Sequence, residues 1–397
     1  MKVLYINTLY APYAVGGAER VVQTLAEGAI EAGHEAVVVA TVPGKAISAA
    51  WVNGTKVHYV GLRNLYWPFS ERRNPTALKP LWHALDTRQY WMASAVGRIL
   101  DTERPDLVHT HSLSGFSTLV WRSVKQRGLP LVHTLHDYYL LCPKATMFRA
   151  NKNCRRQCIR CSPYALLRRH GSNLVDEVTG VSKFVLERHL SHHYFHATPR
   201  KEVIYNAYKT KVAASRSGTQ SLPVRFGYLG RLDPSKGLEV LLDAVRQLPH
   251  GSWELRIGGK GLASYESHLR DRYEAPATSF LGYVETDPFF ETIDVLVVPS
   301  VWHEPSPRVI SEAYSHGVPV VGSRTGGIPE LVENERTGFV FDNKRSIDLA
   351  AKMRACIDNP SMIGYMSQDC LKRAKRLLPE VITAQYLEAY AEVVRDR

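Results

Sequence analysis

Two glutamates eight positions apart mark the segment best suited to chemistry. The run Ser300-Val301-Trp302-His303-Glu304-Pro305-Ser306-Pro307-Arg308-Val309-Ile310-Ser311-Glu312-Ala313 follows an apolar stretch, Val295–Pro299, that reads as a buried strand. Ser306 is a good helix cap and Pro307 a good first helical residue, so a helix is predicted to start there. Glu304 then lies on the loop at the strand's carboxyl end, and Glu312 in the second helical turn. The amides around Arg308 and Val309 suit a phosphate, because a helix start offers free N–H groups and the positive end of a dipole. The two acids can hold two ends of one ligand around that phosphate, although either alone reads as an ordinary solvated acid.

A basic pair supports the same chemistry. Gly227-Tyr228-Leu229-Gly230-Arg231-Leu232-Asp233-Pro234-Ser235-Lys236-Gly237 runs from a strand end to a helix start. Lys236 at the positive end of a helix is unfavourable unless an anion lies there too. Arg231 and Lys236 can together neutralise a diphosphate; a structural arginine and a solvated lysine are the plainer alternative. No Asp-x-Asp pair occurs, so a carboxylate-held divalent cation is not the obvious substitute for that task.

Cys142, Cys154, Cys158 and Cys161 cluster in a basic insertion that follows His136-Asp137-Tyr138-Tyr139. Cys158-Ile159-Arg160-Cys161 has the tight chelate spacing of structural zinc sites, whereas the Cys142 to Cys154 interval is irregular. Structural zinc, free thiols, and an iron–sulfur cluster or redox pair all remain open; disulfides are disfavoured in a cytosolic chain. Cys356 and Cys370 read as buried thiols. From Tyr138 to Val175 there is no Asp or Glu, while Lys144, Arg149, Lys152, Arg155, Arg156, Arg160, Arg168 and Arg169 all fall there. Such a stretch suits a solvated loop or, with the aromatic run Tyr66-Trp67-Pro68-Phe69, an anionic membrane surface. Nucleic acid is not expected, since no helix-turn-helix, zinc-finger or aromatic RNA-binding signature appears. The formal net charge of +12 points the same way, to acidic partners.

These residues need a scaffold, and the chain of 397 residues is long enough for two domains. Apolar runs at Val3–Ile6, Ala36–Ala40, Val57–Val60, Leu107–His109, Leu131–Leu135 and Val175–Val181 alternate with helical patterns such as Ala18–Ala32 and Phe116–Arg127. The same grammar restarts at Val224–Leu229 and continues through Glu254–Ile257, Ser279–Leu281, Val295–Pro299, Val318–Gly322 and Gly338–Phe341. Strand–helix alternation implies parallel sheets, and ligands of such sheets bind beyond the carboxyl ends of the strands. The polar stretch 208–222 has a linker's composition. No run is long enough to cross a bilayer, and the amino terminus reads as a strand and not as a secretory signal, so a cytoplasmic protein is expected.

The Glu304-x7-Glu312 segment, Gly230-Arg231-Leu232 with Lys236-Gly237, the loop Gly16-Gly17-Ala18-Glu19 and Thr325-Gly326-Gly327-Ile328-Pro329-Glu330 resemble those of retaining glycosyltransferases of family four. The resemblance covers nearly the whole chain. It implies the GT-B fold, an α/β architecture of two Rossmann-like domains with parallel sheets facing across a cleft. Residues 1–207 would be the acceptor-binding domain, with the Cys-rich insertion at about 138–171, and 223–378 the nucleotide-sugar-binding domain. The helix in 379–397 would pack back toward the first.

The resemblance also implies roles. Glu304 would contact the donor sugar and Glu312 the ribose, with Arg231 and Lys236 on the diphosphate. Gly16 and Gly17 would let the diphosphate or acceptor approach closely, since a side chain there would block it. His111 would stand near the anomeric centre, and Gly259 and Tyr283 would lie in the loops that contact the base. Relatives often carry Phe-Gly after the first acid; Pro305-Ser306-Pro307-Arg308 stands here, so Arg308 is free to bind phosphate or an acidic acceptor. The implied reaction is sugar transfer from a nucleotide-sugar donor to a saccharide or lipid-linked acceptor with retained configuration and no catalytic metal. A GT-B protein that binds such ligands without turnover is the alternative.

Overall fold

The computed structural model describes residues 1–13, 16–70, 76–208, 212–213, 222–273 and 275–396. The expected linker, 208–222, falls mostly outside them. The chain divides into two compact units, one of Met1–Met147, Cys154–Ala207 and Pro379–Arg397, the other of Phe148–Asn153 and Tyr208–Leu378. One departure from expectation is Phe148–Asn153, which lies inside the insertion by sequence yet belongs to the second unit.

The first unit is built on strands β1 (Lys2–Ile6), β2 (Glu35–Val42), β3 (Ile47–Val52), β4 (Thr55–Gly61), β5 (Leu107–Thr110) and β6 (Leu131–Leu135). A small hairpin, β7 (Phe148–Arg149) with β8 (Lys152–Asn153), follows, and β9 (Glu177–Gly180) and β10 (Arg200–Val203) complete the sheet. Its order is β10-β9-β6-β5-β1-β2-β4-β3, parallel except for the edge pair β3–β4. Val3, Leu4, Val38, Val108 and Val132 are fully buried, as strands covered on both faces require. The helices are α1 (Gly17–Glu31), α2 (Lys79–Thr87), α3 (Tyr90–Glu103), α4 (Leu119–Lys125), α5 (Ser162–Ser172) and α6 (Lys183–Leu190).

The second unit repeats the plan with six parallel strands: β11 (Val224–Leu229), β12 (Trp253–Gly258), β13 (Thr278–Gly282), β14 (Val295–Val298), β15 (Val320–Ser323) and β16 (Gly338–Phe341). Their order, β13-β12-β11-β14-β15-β16, is that of a dinucleotide-binding sheet and reverses between β11 and β14. The helices are α7 (Leu238–Val245), α8 (Ala263–Tyr273), α9 (Thr286–Glu291), α10 (Arg308–Ser315), α11 (Ile328–Leu331), α12 (Ser346–Asp358) and α13 (Ser361–Lys375). Leu238, Leu241, Leu242 and Val245 of α7 form the core with Leu349, Met353 and Cys356 of α12.

The last helix, α14 (Pro379–Arg395), is part of the first unit. Its buried Tyr390 hydroxyl meets His109 Nδ1 at 2.6 Å, and the Tyr386 hydroxyl meets Thr134 Oγ1 at 3.1 Å. His109, His111, His133 and His189 are all buried around this sheet. Burial lowers His136 and His189 to about 4, and His109, His111 and His133 well below their ordinary value.

Neutral buried histidines make stability depend on pH with a definite sign. Each binds its proton more weakly when folded than when unfolded, so stability is full above about 6.5 and falls as pH drops toward 4. His189 alone represents on the order of 3 kcal/mol over that window. Burial raises Asp137 to about 6, Glu177 to about 7 and Asp86 as well, and these act in the opposite direction, against the five histidines above and His83, which burial also lowers to about 4. Thermal melts should show a falling Tm from pH 7 to pH 4, and His189→Asn should flatten the slope. A Tm that is level or rises on acidification contradicts the assignment.

Candidate active site

In the second unit the reversal point of the sheet collects the charged residues. The loop after β11 carries Arg231 and Lys236, and the loop after β14 carries Glu304. Lys236 Nζ lies 2.8 Å from Glu304 Oε2, and Ser300 Oγ donates to Glu304 Oε1. Glu304 is buried, at 6% exposure. A carboxylate so far from water needs this partner. Lys236 is expected from the sequence beside a ligand diphosphate; in the structure Glu304 supplies its counter-charge. Arg231 remains exposed, with no ion-pair partner among the described residues.

The backbone braces the two loops against each other. Val301 N and Trp302 N both donate to Ser235 O, at 3.0 and 3.1 Å. Asn153, from β8, spans the next peptide units: its Nδ2 donates to Val301 O at 2.7 Å and its Oδ1 accepts from His303 N at 3.0 Å. Behind Glu304, Gly327 N donates to the Glu304 carbonyl at 2.7 Å. Gly326 has φ +56, and a Cβ there would sit 2.2 Å from that carbonyl oxygen. Only glycine fits.

The following helix starts later than Ser306 and Pro307 suggest. Pro307, at φ −72 and ψ 114, is the extended cap residue and Arg308 the first helical one. No side chain caps this end, so the amides of Arg308 and Val309 head the helix as an anion site needs. Arg308 turns back along its own helix: its guanidinium lies 3.7 Å from Glu312 Oε1 and 5.3 Å from the Tyr208 ring centre, and its Nε is buried without a partner. Burial first, and then Glu312, push the Tyr208 hydroxyl up. Gly259, with φ +139, packs on the Gly230 carbonyl, which a Cβ would approach to 1.8 Å. Tyr283, just past β13, is 72% exposed.

The first unit has its own reversal point, at β1. Gly16 caps α1, its N–H held by Glu19 Oε2 at 2.9 Å, and Gly17 is the first helical residue. His111 follows the neighbouring β5. Its Nδ1 meets His136 Nε2 at 2.8 Å, and its Nε2 is buried with no partner. His136 immediately follows β6, the next strand. The pair, with Asp137 and Tyr139, lines a small pocket. Asn153, Ser300, Tyr208 and His136 are the members of these clusters that sequence reasoning missed. The last had a signal, since it is a strand-end histidine like His111.

The cysteines are partly assembled. Cys161 Sγ lies 3.4 Å from Cys158 Sγ and 3.8 Å from Cys142 Sγ. Tetrahedral zinc with bonds of about 2.3 Å needs sulfur–sulfur edges of about 3.8 Å. Among the described residues, no group of three or more His, Cys, Asp or Glu side chains is arranged to hold a metal ion. Arg168 is buried, paired with Asp86 at 3.1 Å, and drops out of the exposed basic surface assigned to it.

Because Glu304 is buried against Lys236, removing one charge should cost more than removing both. Lys236→Ala is expected to destabilise the second unit by about 3 kcal/mol, and adding Glu304→Gln should restore most of it. Denaturant melts of the single and double variants measure the coupling. Additive effects would show that the ion pair does not hold the loop.

Comparison with known proteins now bears on this geometry. Residues 15–212 match the family described as Glycosyltransferase Family 4, and residues 223–359 match Glycosyl transferases group 1. A Klebsiella pneumoniae chain described as an uncharacterized 42.6 kDa protein in a cps region is 34% identical over 351 residues, 88% of this chain and 92% of that one. A D-inositol 3-phosphate glycosyltransferase of Corynebacterium efficiens is 25% identical over 334 residues, 76% of each chain. Sucrose-phosphate synthase from Thermosynechococcus elongatus is similar in structure, with a TM-score of 0.76 at 20% identity over 100% of both chains. Anabaena HepE, solved with UDP, gives 0.71 at 19% identity over 99% of this chain and 100% of that one. At such identities the structural likeness shows the fold, which is GT-B. The matched segments run through both units, and the chain belongs to the glycosyltransferases of the group 1 and family 4 type.

Proposed function

We propose that this glycosyltransferase moves a sugar from a UDP- or GDP-sugar to a saccharide or lipid-linked acceptor in building a cell-surface glycan. It works on the cytoplasmic side, with retained configuration and without a catalytic metal. The observation that carries the reading is the Lys236–Glu304 pair at the sheet reversal, beside the uncapped amides of Arg308 and Val309. A diphosphate seated on those amides draws Lys236 and the unpaired Arg231 onto its charge and frees Glu304 for the sugar hydroxyls. Glu312 then faces the ribose, with Tyr208 and Arg308 fixing its orientation. His111 and His136 are neutral at pH 7, so they serve as hydrogen-bonding groups and not as acids. The leaving diphosphate accepts the acceptor's proton, and the protein's part is positioning and charge stabilisation. UDP and UDP-glucose in the HepE structures, and the lipopolysaccharide outer core galactosyltransferase among the structural neighbours, support this choice of donor and product class.

A thermal-shift panel of UDP-, GDP- and ADP-sugars should single out one base, since a ligand at a hundred times its Kd adds about 2.7 kcal/mol. Lys236→Ala should slow transfer roughly 100-fold, while EDTA leaves the wild-type rate unchanged. Glu312→Gln should weaken the nucleotide diphosphate by about 1.5–3 kcal/mol in calorimetry, and Glu304→Gln should leave it nearly intact. No stabilisation by any nucleotide sugar, or strict dependence on magnesium, overturns the reading.

A structural zinc on Cys142, Cys154, Cys158 and Cys161 completes the proposal. Elemental analysis should find about one zinc per chain, and Cys158→Ser should speed protease nicking near Cys142–Cys161 while both sheets stay folded. Metal-free protein that resists nicking there excludes the zinc.

A further inference from the structure

The layer formed by α2 and α5 combines features a water-facing surface rarely has. Leu78, which directly precedes α2, and Leu81 and Leu85 on it are spaced three and four apart and form one stripe. They are 41%, 52% and 42% exposed, while Trp82 and Asp86 on the adjoining face are buried. On α5, Leu166 and Leu167 are 59% and 42% exposed, and Ile159, just before it, is 90% exposed. The helices are locked together: the Tyr164 hydroxyl donates to Pro80 O at 3.1 Å, and Arg168 reaches Asp86.

Charge decides what such a face fits. Residues 76–100 contain one carboxylate, Asp86, which is fully buried, and residues 138–175 contain none. The exposed charges of both segments are therefore cationic, among them Lys79, Arg88, Arg155, Arg156 and Arg160. A second copy would set one cationic face against another across a two-fold axis. A bilayer with anionic lipids takes both parts at once, leucines below the headgroups and Lys or Arg at phosphate level. No helix of the described chain is long and apolar enough to cross a membrane.

We propose that the α2–α5 face is the surface on which this protein lies against an anionic bilayer. The proposal rests on the lipid-linked acceptor reading above and gives it a location. The Tyr66–Phe69 run adjoins α2, with Tyr66 6.1 Å from the buried Trp82 and Phe69 39% exposed.

Vesicle sedimentation tests it, using phosphatidylcholine with and without phosphatidylglycerol. Wild-type protein should bind only the anionic vesicles, and less as salt rises. Leu81→Ser with Leu85→Ser, and independently Leu166→Ser with Leu167→Ser, should each lower partitioning about tenfold. Arg155→Ser with Arg156→Ser should lower it about tenfold or more and reduce its salt dependence. All these positions face solvent, so melting temperatures should not move, and transfer to a water-soluble acceptor should stay at the wild-type rate. The proposal falls if the wild type ignores anionic vesicles at low salt, or if both leucine pairs bind like wild type. It also falls if the leucine changes instead abolish a concentration-dependent dimer. Unaffected soluble transfer in any of those cases leaves the enzymatic reading standing; absent transfer with every donor sinks that reading instead.

Discussion

A buried carboxylate at the end of β14 governs the second unit. Glu304 is almost out of water, and an isolated charge in that setting would cost far more than the protein's net stability. Each neighbour can be understood from that cost. Ser300 and Lys236 supply the donor and the counter-charge. Gly326 and Gly327 let a second backbone strand lie directly on the Glu304 peptide. Ser235 and Asn153 fix the peptides just ahead of it. The result is a charged group held rigid before any ligand arrives, which is the condition for electrostatic catalysis without reorganisation.

The first unit answers the opposite requirement, to keep imidazoles uncharged. His109 and His111 sit two positions apart at the end of β5 with rings 3.9 Å apart. Two charges at that distance in a dry site would repel strongly. His109 is fully satisfied, by Tyr390 on one nitrogen and Thr134 on the other at 2.7 Å. His111 has His136 on one nitrogen and nothing on the other. The difference separates a core histidine from one with a hydrogen bond still to make, and α14 creates it by delivering Tyr390.

Burial on both faces is what made most strands legible. β1, β2 and β14 show as apolar runs because parallel strands under helices have no polar face. The edge strands β3 and β10 lack that mark: Trp51 of β3 is 73% exposed, and β10 begins Arg200-Lys201-Glu202. Glu304, Lys236 and His111 could be read because each lies on the segment that follows a strand, a local property. Asn153 could not, since its partners lie 148 and 150 positions away. Pro307 misled for a physical reason: proline suits both the first helical position and an extended cap, and only ψ distinguishes them. The Cys-rich segment was read as one insertion, but its hairpin packs with the second unit.

The Asp86–Arg168 pair shows how one buried contact can set the character of a distant surface. Asp86 accepts from Arg168, from the Tyr139 hydroxyl at 2.5 Å and from Gly115 N at 2.6 Å, and Arg168 also donates to Tyr139 O and lies 3.8 Å over the Tyr139 ring. Burial pushes the Asp86 carboxyl up, against the pull of Arg168. A pair this dry adds little to stability over an apolar replacement. Its geometric effect is larger, because the fork of Arg168 fixes how α5 sits on α2 and so which leucines of each helix remain outside. Its electrostatic effect follows from the same placement: it takes the one carboxylate of the layer out of solvent. A surface that is at once apolar and positive thus depends on a salt bridge that never reaches water.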